Sequence, residues 1–280
     1  MLKTKMTRCL MIAAIIGATF TACKKDEIKK DDEDSDTSAA ADNSLAEGAF
    51  NDISNMADQA ADGSLSTYRT SDAAEGLLSL CAVVTNDTTA VPHVLTIDFG
   101  TTNCLCKDGR YRRGKIKISY EGPYRETGHI HTVSFVDYFV DDNQIMGTKT
   151  VLNNGKNSAG NLTFTVNVDG KVVKANGGGT ITWQATRTRE WIEGVSTSTW
   201  SDDVYLITGS SSGTSASGTS FKHTILKALR KEIGCRHFVS GQLLMQPENK
   251  AERLIDYGNG ACDNEATVTI NGKTFTITLR

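Results

Sequence analysis

Residues Ala266 to Leu279 read ATVTINGKTFTITL, and this stretch decides the fold class. Apolar side chains alternate with threonines on both sides of Asn271-Gly272, which is the period of two typical of half-buried strands. Asn-Gly is a preferred pair for a two-residue type I′ turn, because both central residues of that turn need positive φ. The turn sets Val268 opposite Phe275. The stretch therefore predicts an antiparallel hairpin with one apolar face.

A second stretch favours the same architecture. Asn161 to Val168, NLTFTVNV, places apolar residues at every other position, and Asp169-Gly170 follows directly. Asp-Gly also suits a type I′ turn, so we expect a turn there with Val166 opposite Val173. Two independent turns that agree on one buried face predict an antiparallel sheet.

Further strand-like segments follow one another without a helical stretch of comparable strength between them. They are Val91 to Phe99, Lys115 to Tyr120, His131 to Val140, Gln144 to Leu152, Thr180 to Thr186, Val204 to Gly209, Phe221 to Leu229 and Phe238 to Met245. Ser210 to Ser220, SSSGTSASGTS, is small and polar, which is typical of a mobile loop. Short strands joined by turns indicate a meander. The predicted fold is all-β: a long curled antiparallel meander sheet, open-barrel or sandwich-like, with one N-terminal amphipathic helix.

The helix is predicted at residues 44–62, SLAEGAFNDISNMADQAAD, where apolar residues recur at three- and four-residue spacing. Ser44 and Glu47 have the spacing of a capping box. The apolar stripe is expected to cover one face or edge of the sheet. Residues 44–280 then form a single β-rich domain.

Two cysteine-bounded stretches share one ending. Cys81 to Cys104 ends on Ile97-Asp98-Phe99-Gly100 before its last cysteine, and Cys235 to Cys262 ends on Ile255-Asp256-Tyr257-Gly258. The repeat favours two hairpins closed by Cys81–Cys104 and Cys235–Cys262 disulfides, each contributing about 3 kcal/mol. In each ending the glycine permits a turn, the aromatic ring packs inward and the aspartate accepts a hydrogen bond from the turn. Cys106 is left over and competes with Cys104 for Cys81.

The N-terminus has the order of a secretory signal. Lys3, Lys5 and Arg8 precede an apolar run from Cys9 to Phe20 and the small residues before Cys23. The run is shorter than the roughly 20 residues that a membrane-spanning helix needs. A cysteine after small residues resembles a bacterial lipobox, so residues 1–22 are expected to be removed and Cys23 to carry lipid, palmitate included. The alternative is an ordinary signal peptide with an incidental cysteine.

Residues 23–43 are predicted to be the lipidated cysteine and a disordered charged tether, because residues 24–43 hold almost no large apolar side chain. Lys24-Lys25-Asp26-Glu27 resembles the charged export tags of surface lipoproteins in Bacteroidota. We therefore expect an outer-membrane protein that is lipid-anchored at the cell surface, with a periplasm-facing spacer as the alternative. Without Lys3, Lys5 and Arg8 the chain keeps 27 basic against 33 acidic residues, so nucleic acid is not an expected partner.

Three groups of residues are candidates for ligand contact. Trp191, Trp200 and Tyr205 could form a stacking surface for sugars, since flat rings combine area with a polar edge. Arg110, Arg112 and Arg113 lie in Lys107 to Lys115, KDGRYRRGK, which could hold sulfate, phosphate or lipid headgroups or could be a solvated hairpin tip.

The third group is a pair of weak metal candidates. His129 and His131 stand two residues apart at the start of a predicted strand, which places both rings on one face. A third ligand would have to come from elsewhere, and the nearest in the sequence are Glu126, His93 and Asp137. Neither a metal nor another cofactor is predicted. No nucleophile elbow, zinc-protease or phosphate-loop motif is present in the sequence.

Several short motifs resemble an uncharacterised family of Bacteroidota lipoproteins of unknown function. They are the lipobox at Cys23, CAVVT at Cys81, IDFG at Ile97, DGRYRRGKI at Asp108, GTKTV at Gly147, DDVYLITG at Asp202 and DYGNGACDN at Asp256. The resemblance covers nearly all of the mature chain. It implies an envelope lipoprotein and assigns no activity.

The predicted function is a non-enzymatic cell-envelope lipoprotein that presents a β-sheet surface for binding or scaffolding. Its expected partners are the membrane, through the lipid anchor, and a glycan or an envelope protein. One alternative is a secreted glycan-directed hydrolase that uses carboxylates such as Asp98, Asp202 or Asp256. Another is a carrier that shelters a lipid inside the curled sheet. The predicted working surface lies on the strands from Lys115 to Thr208.

Overall fold

The computed structural model describes residues 34–65, 78, 82–197 and 199–279. These residues form one helix, α1 (Ser38–Leu65), and fourteen strands. The strands are β1 (Val83–Asp87), β2 (His93–Asp98), β3 (Cys104–Leu105), β4 (Tyr111–Tyr120), β5 (Ile130–Val140), β6 (Asn143–Lys156), β7 (Leu162–Val173), β8 (Thr180–Glu193), β9 (Val204–Thr214), β10 (Ser220–Glu232), β11 (Ser240–Pro247), β12 (Arg253–Asn259), β13 (Glu265–Ile270) and β14 (Lys273–Thr278). The predicted signal peptide, Cys23 and the first half of the predicted tether lie outside the described residues.

The strands form one antiparallel meander. Each strand pairs with the next in the sequence, except that β3 pairs at the side of β4 and β2 pairs directly with β4. The path runs from β1 to β14, and in the described part of the chain the two end strands do not pair with each other. The predicted class, all-β with an antiparallel meander and one helix, is confirmed, and the sheet is not closed into a barrel.

The concave side of the sheet holds α1. Helix side chains contact strands from distant parts of the meander: Asp52 contacts Arg112 on β4, and Ser44 contacts Tyr257 on β12. Polar as well as apolar helix residues are buried, and Glu47 is only 3% exposed. The helix is therefore surrounded by the curled sheet, whereas the sequence predicted contact through one apolar stripe.

The helix begins at Ser38, six residues before the predicted start, and the predicted capping box does not form. Ser44 lies inside the helix, and Asp36 accepts a hydrogen bond from the Ser38 amide at 2.9 Å. Asp36 also pairs with Lys250 at 2.5 Å, and Asp34 pairs with Arg253 at 2.7 Å. The end of the predicted tether is thus ordered, because its acids meet basic residues of the β11–β12 region.

The predicted turn at Asp169-Gly170 is wrong. Strand β7 runs straight through both residues, and Val166 faces Val151 and Arg187 rather than Val173. The physical reason is the helix: a Cβ on Gly170 would lie 2.2 Å from Cζ of Phe50, so the missing side chain makes room for that ring. The chain reverses instead around Asn176-Gly177, whose φ angles are 55° and 70°.

The predicted loop at Ser210 to Ser220 is wrong at both ends, and only residues 215–219 form a turn. Residues as far as Thr214 continue β9, and β10 starts at Ser220. Small residues are needed here, because a Cβ on Gly213 would lie 2.0 Å from the Thr182 carbonyl oxygen of β8. By contrast, the hairpin at Asn271-Gly272 is confirmed, with Val268 opposite Phe275.

Both cysteine-bounded stretches form hairpins, β1–β2 and β11–β12. Asp98 accepts a hydrogen bond from the Gly100 amide at 2.9 Å, and Asp256 accepts one from the Gly258 amide at the same distance. The following rings, Phe99 and Tyr257, are each 3% exposed. The predicted turn roles are confirmed at both ends of the sheet.

The structure contains the predicted Cys235–Cys262 disulfide, with the two Cα atoms 5.6 Å apart. Cys104 is disulfide-bonded as well, while its predicted partner Cys81 lies outside the described residues. Cys106 is buried, and its Sγ donates to the Cys104 carbonyl oxygen at 3.7 Å.

Candidate functional site

The predicted aromatic surface does not form. Trp191 and Tyr205 face inward from β8 and β9, are 1% and 2% exposed, and stack with centroids 5.5 Å apart. Ile233 completes this small core, and Trp200 packs against it half-buried. Because sugars stack only on rings they can reach, Trp191 and Tyr205 are core residues and not glycan contacts.

Arg110 and Arg112 in the basic stretch KDGRYRRGK are buried, so this part of the stretch is not a solvated hairpin tip. The guanidinium of Arg112 is fully buried and lies 2.6 Å from carboxylate oxygens of both Asp52 and Asp108. Arg110 lies 3.3 Å from Asp52. Burial raises the pKa of Asp52, but the charges of Arg112 and Arg110 outweigh it and keep the pKa below its usual value. Asp52 is therefore an internal counter-ion.

Arg113, the third predicted basic residue, faces outward. It pairs with Asp142, and its guanidinium carbon lies 3.8 Å from the centroid of the Phe139 ring. The three arginines therefore do not act as one surface. The sequence analysis grouped the three arginines by proximity in the chain. Along β4 successive side chains alternate between the two faces, so Arg112 points inward and Arg113 outward.

The two weak metal candidates have other contacts. Nδ1 of His129 lies 2.6 Å from the Glu121 carbonyl oxygen, and the His131 ring stacks on Tyr124 with centroids 3.8 Å apart. Burial lowers the pKa of His131 to about 4, so its ring is neutral at pH 7. Within the described residues no cluster of three His, Cys, Asp or Glu side chains could hold a metal ion.

The inner face of β8 carries charges that sequence reasoning missed. Arg187 donates two hydrogen bonds to Glu47, at 3.0 and 2.5 Å, and both side chains are nearly inaccessible. Arg189 donates to Asp58 at 2.8 Å and to Asn55 at 2.8 Å. The alternation of side chains along β8 could have revealed them, because a period of two places both arginines on the same face as the buried Trp183. This network ties α1 to the sheet.

Two more titratable side chains, Lys149 and His223, are buried between the helix and the sheet. Lys149 donates to the Phe50 carbonyl oxygen at 2.6 Å and to the Ser54 hydroxyl, and burial lowers its pKa to about 7. His223 hydrogen-bonds Ser211, and burial lowers the pKa of the imidazole to about 4. A hydroxyl–imidazole pair or a neutral lysine can act as a nucleophile only where substrate reaches it. Both groups are 2% exposed, so their role is structural.

The outer face of the same strands is open and polar. Two cross-strand rows run over β7, β8, β9 and β10, and the second row continues onto β11. We call these nine residues the polar face: Asn167, Thr186, Ser210 and Thr224 in the first row, and Asp169, Gln184, Ser212, Lys222 and Gln246 in the second. A shallow depression of about 550 Å³ lies over them.

The polar face presents regularly spaced hydrogen-bonding groups. Neighbouring strands lie roughly 4.8 Å apart, and the two rows are separated by two residues, roughly 6.7 Å. Within the face, Thr186 donates to the Asn167 side chain at 3.0 Å and Gln184 contacts Asp169 at 3.4 Å. The array can bind a partner rich in hydroxyl or amide groups. Four of its nine residues lie on the predicted working surface, and the other five lie past its limit at Thr208, on β9, β10 and β11.

The carboxylates considered for a hydrolase are each engaged separately. Asp98 and Asp256 serve the two turns described above and belong to β2 and β12, which are not neighbouring strands. Asp202 accepts a hydrogen bond from the Thr197 hydroxyl at 2.9 Å. These three residues therefore do not form a pair of carboxylates that faces one reaction centre.

Comparisons of the chain with protein-family models, with curated proteins and with solved structures found no match. The resemblance to uncharacterised Bacteroidota lipoproteins therefore stays a prediction. Among the residues that the structure describes, no helix is both long enough and apolar enough to cross a membrane.

Proposed function

We propose that this chain is a non-enzymatic lipoprotein of the cell envelope that binds a hydroxyl-rich partner, a glycan, on the polar face. The observation that carries the proposal is the polar face itself: two rows of side chains in register over four strands, mostly uncharged and exposed. Arrays of hydroxyl and amide groups suit partners that offer many hydrogen bonds of their own.

The division of the sheet into two faces supports this choice of surface. The inner face is taken up by α1 and its ion pairs, including Glu47–Arg187, whose side chains are 3% and 4% exposed. A lipid held there would have to displace buried charged groups, which is costly. The outer face of the described sheet, by contrast, can be reached by a large partner without opening the fold.

The anchoring part of the proposal rests on the sequence around Cys23. Labelling with radioactive palmitate and fractionation of the cells test it directly. We expect label on the wild-type chain and its recovery with the outer membrane, and loss of both in Cys23→Ala. Protease treatment of intact cells then separates a surface location, where the domain is digested, from a periplasmic one.

The binding part is tested with the mature chain and isolated envelope polysaccharide in affinity gels. The variant Thr186→Arg/Ser210→Arg places two bulky charges in the first row, and we expect it to lose retardation in the gel. The matched control, Thr88→Arg/Ala90→Arg, adds the same charge to the exposed β1–β2 turn and should bind like wild type. Equal retardation of all three proteins, or retardation of none, would contradict the proposal, and capture of an envelope protein instead would replace the glycan with that partner.

A further inference from the structure

A pocket of about 310 Å³ lies beside α1 where three distant parts of the chain meet. They are the residues before β4, the loop between β8 and β9, and the loop after β10. Its size is in the range of small-molecule sites in proteins. We call it the basic pocket, and its charged and aromatic lining residues are Asp52, Lys107, Asp108, Arg110, Trp200, Lys231 and Arg236.

Positive charge exceeds negative charge in the basic pocket. Four cations line it, and Arg112 stands directly behind the two lining carboxylates, Asp52 and Asp108. A third carboxylate, Asp141, lies 3.4 Å from Arg236. Arg112 lies 2.6 Å from each of the two lining carboxylates and Arg110 lies 3.3 Å from Asp52, so five cations, Arg112 included, share three carboxylates. The pocket therefore has an excess of cations that its own carboxylates do not neutralise.

Two residues that line the basic pocket each have a hydrogen-bond donor that is unused within the described residues. Nε of Arg110 and Nε1 of Trp200 are buried atoms that have no hydrogen-bond partner there. The Arg110 side chain is 5% exposed, and its Nε stands 3.9 Å from Asp108, beyond hydrogen-bond distance. A buried donor left without an acceptor costs free energy, so such groups commonly mark a ligand or ordered water.

Lys231 adds a third polar group to the lining of the pocket. Its Nζ donates to the carbonyl oxygens of Cys235 and of Glu232, the latter at 3.1 Å. Burial lowers its pKa to about 8, and the attraction of Asp52 does not compensate. A bound anion would favour the charged form of this ammonium group and supply the acceptor that the two unused donors lack.

We propose that the basic pocket binds a tetrahedral oxyanion, the phosphate or sulfate group of a small molecule or a glycan. Guanidinium, indole and ammonium donors approach from different elements, and a tetrahedral group offers oxygens in as many directions. A planar carboxylate offers only two. The volume leaves room for the organic part that carries the group. The site is distinct from the polar face and does not depend on the function proposed for it.

Calorimetric titration of the full mature chain tests the proposal, with inorganic phosphate, inorganic sulfate and glucose 1-phosphate as probes and malonate as the planar comparison. We expect saturable binding of the tetrahedral probes and at least tenfold weaker binding of malonate. Vesicles of phosphatidic acid and of phosphatidylcholine, assayed by co-sedimentation, separate a lipid headgroup from a soluble ester as the source.

Two conservative variants locate the site. Trp200→Phe keeps an aromatic ring but removes the indole N–H together with the five-membered part of the indole, and Arg236→Gln removes one partly exposed charge. Each should weaken phosphate binding about tenfold, as loss of one charge-assisted hydrogen bond does. The matched control Arg113→Gln removes an equal charge outside the pocket and should leave affinity unchanged. Circular dichroism confirms that each variant is folded. Absence of saturable binding, equal binding of malonate, or equal affinity in all variants would overturn the proposal.

Discussion

The packing of α1 against the inner face of the sheet can be tested at Gly170, where Phe50 of the helix approaches the backbone of β7. An alanine Cβ there would lie 2.2 Å from Cζ and 2.5 Å from Cε2 of Phe50. The ring is 1% exposed and is held by Trp183, stacked at 5.6 Å, and by the edge of Phe135 at 6.2 Å. It has no free side to move into, so Gly170→Ala should cost about 1–3 kcal/mol of overpacking.

Backbone conformation does not add to this cost, because Gly170 is not among the glycines with positive φ. Alanine is even favoured over glycine in a strand interior, by roughly 0.5–1 kcal/mol. We therefore expect a net loss of about 1–2 kcal/mol in the free energy of unfolding. Urea titration of the mature chain, followed by far-ultraviolet circular dichroism, measures it.

A double-mutant cycle identifies the cause. Phe50→Ala alone should cost about 3–5 kcal/mol. In that background Gly170→Ala should be neutral or stabilising, because the ring it would strike is gone. The matched control is Gly272→Ala, at a genuine turn with φ of +78° and open space around the Cβ. Its cost should be the same with and without Phe50.

One outcome would contradict this placement of α1. If Gly170→Ala costs the same in the Phe50→Ala background as in the wild type, the helix does not approach the sheet at Gly170. Phe50→Leu serves as a milder background if the alanine variant is too unstable for a full titration. The result separates a close-approach glycine from the turn glycine that the sequence predicted.

Three further predictions concern groups that hold the fold together. Glu47→Gln leaves the Arg187 guanidinium buried without a carboxylate and should cost about 3–5 kcal/mol, much of it recovered in Glu47→Gln/Arg187→Met; urea titrations in which the double variant is no more stable than the single one would contradict this. His223 is held neutral with a lowered pKa of about 4 against 6.5 in the unfolded chain, so the unfolded state takes up a proton that the folded state does not. Between pH 6.5 and 4 His223 should therefore contribute about 1.4 kcal/mol per pH unit to the fall in the free energy of unfolding, and His223→Gln should reduce the measured slope by that amount; an unchanged slope would count against a buried neutral ring. Replacing Cys235 and Cys262 together by serine should cost about 3 kcal/mol, measured as a lower urea midpoint, and equal midpoints would mean that the bond adds nothing.

Local chemistry determined the features that sequence reasoning placed correctly. Asn271-Gly272 forms its hairpin because both residues accept positive φ, with observed values of 50° and 78°. The turn roles of Asp98 and Asp256 also follow from neighbours two residues away. These interactions need no distant partner, so the sequence alone reveals them.

The candidate surfaces were predicted only in part. The alternation of threonine with apolar residues located a polar outer face on the central strands, and the structure puts such a face there. Trp191 and Arg112 belong to the same alternating strands but point inward, to partners that are distant in the sequence. Tryptophan and arginine are residue types that often contact ligands at a surface, so exposure was predicted for both. Their positions in the alternation of β8 and β4 turn both side chains to the buried face of the sheet.

Residue patterns within short stretches of the chain were enough to predict the all-β class: the strand period, the antiparallel meander, one helix near the N-terminus and the hairpins bounded by cysteines. The position of the helix inside the sheet depends on contacts between residues far apart in the chain. Gly170 leaves space for the ring of Phe50, which is 120 positions away in the chain. Without that contact, Asp169-Gly170 has only the local pattern of a turn. Arg110 and Lys231 likewise share a pocket only after the sheet has curled. Turn and strand preferences act over a few residues, but packing and charge pairing act between surfaces that the folded chain brings together.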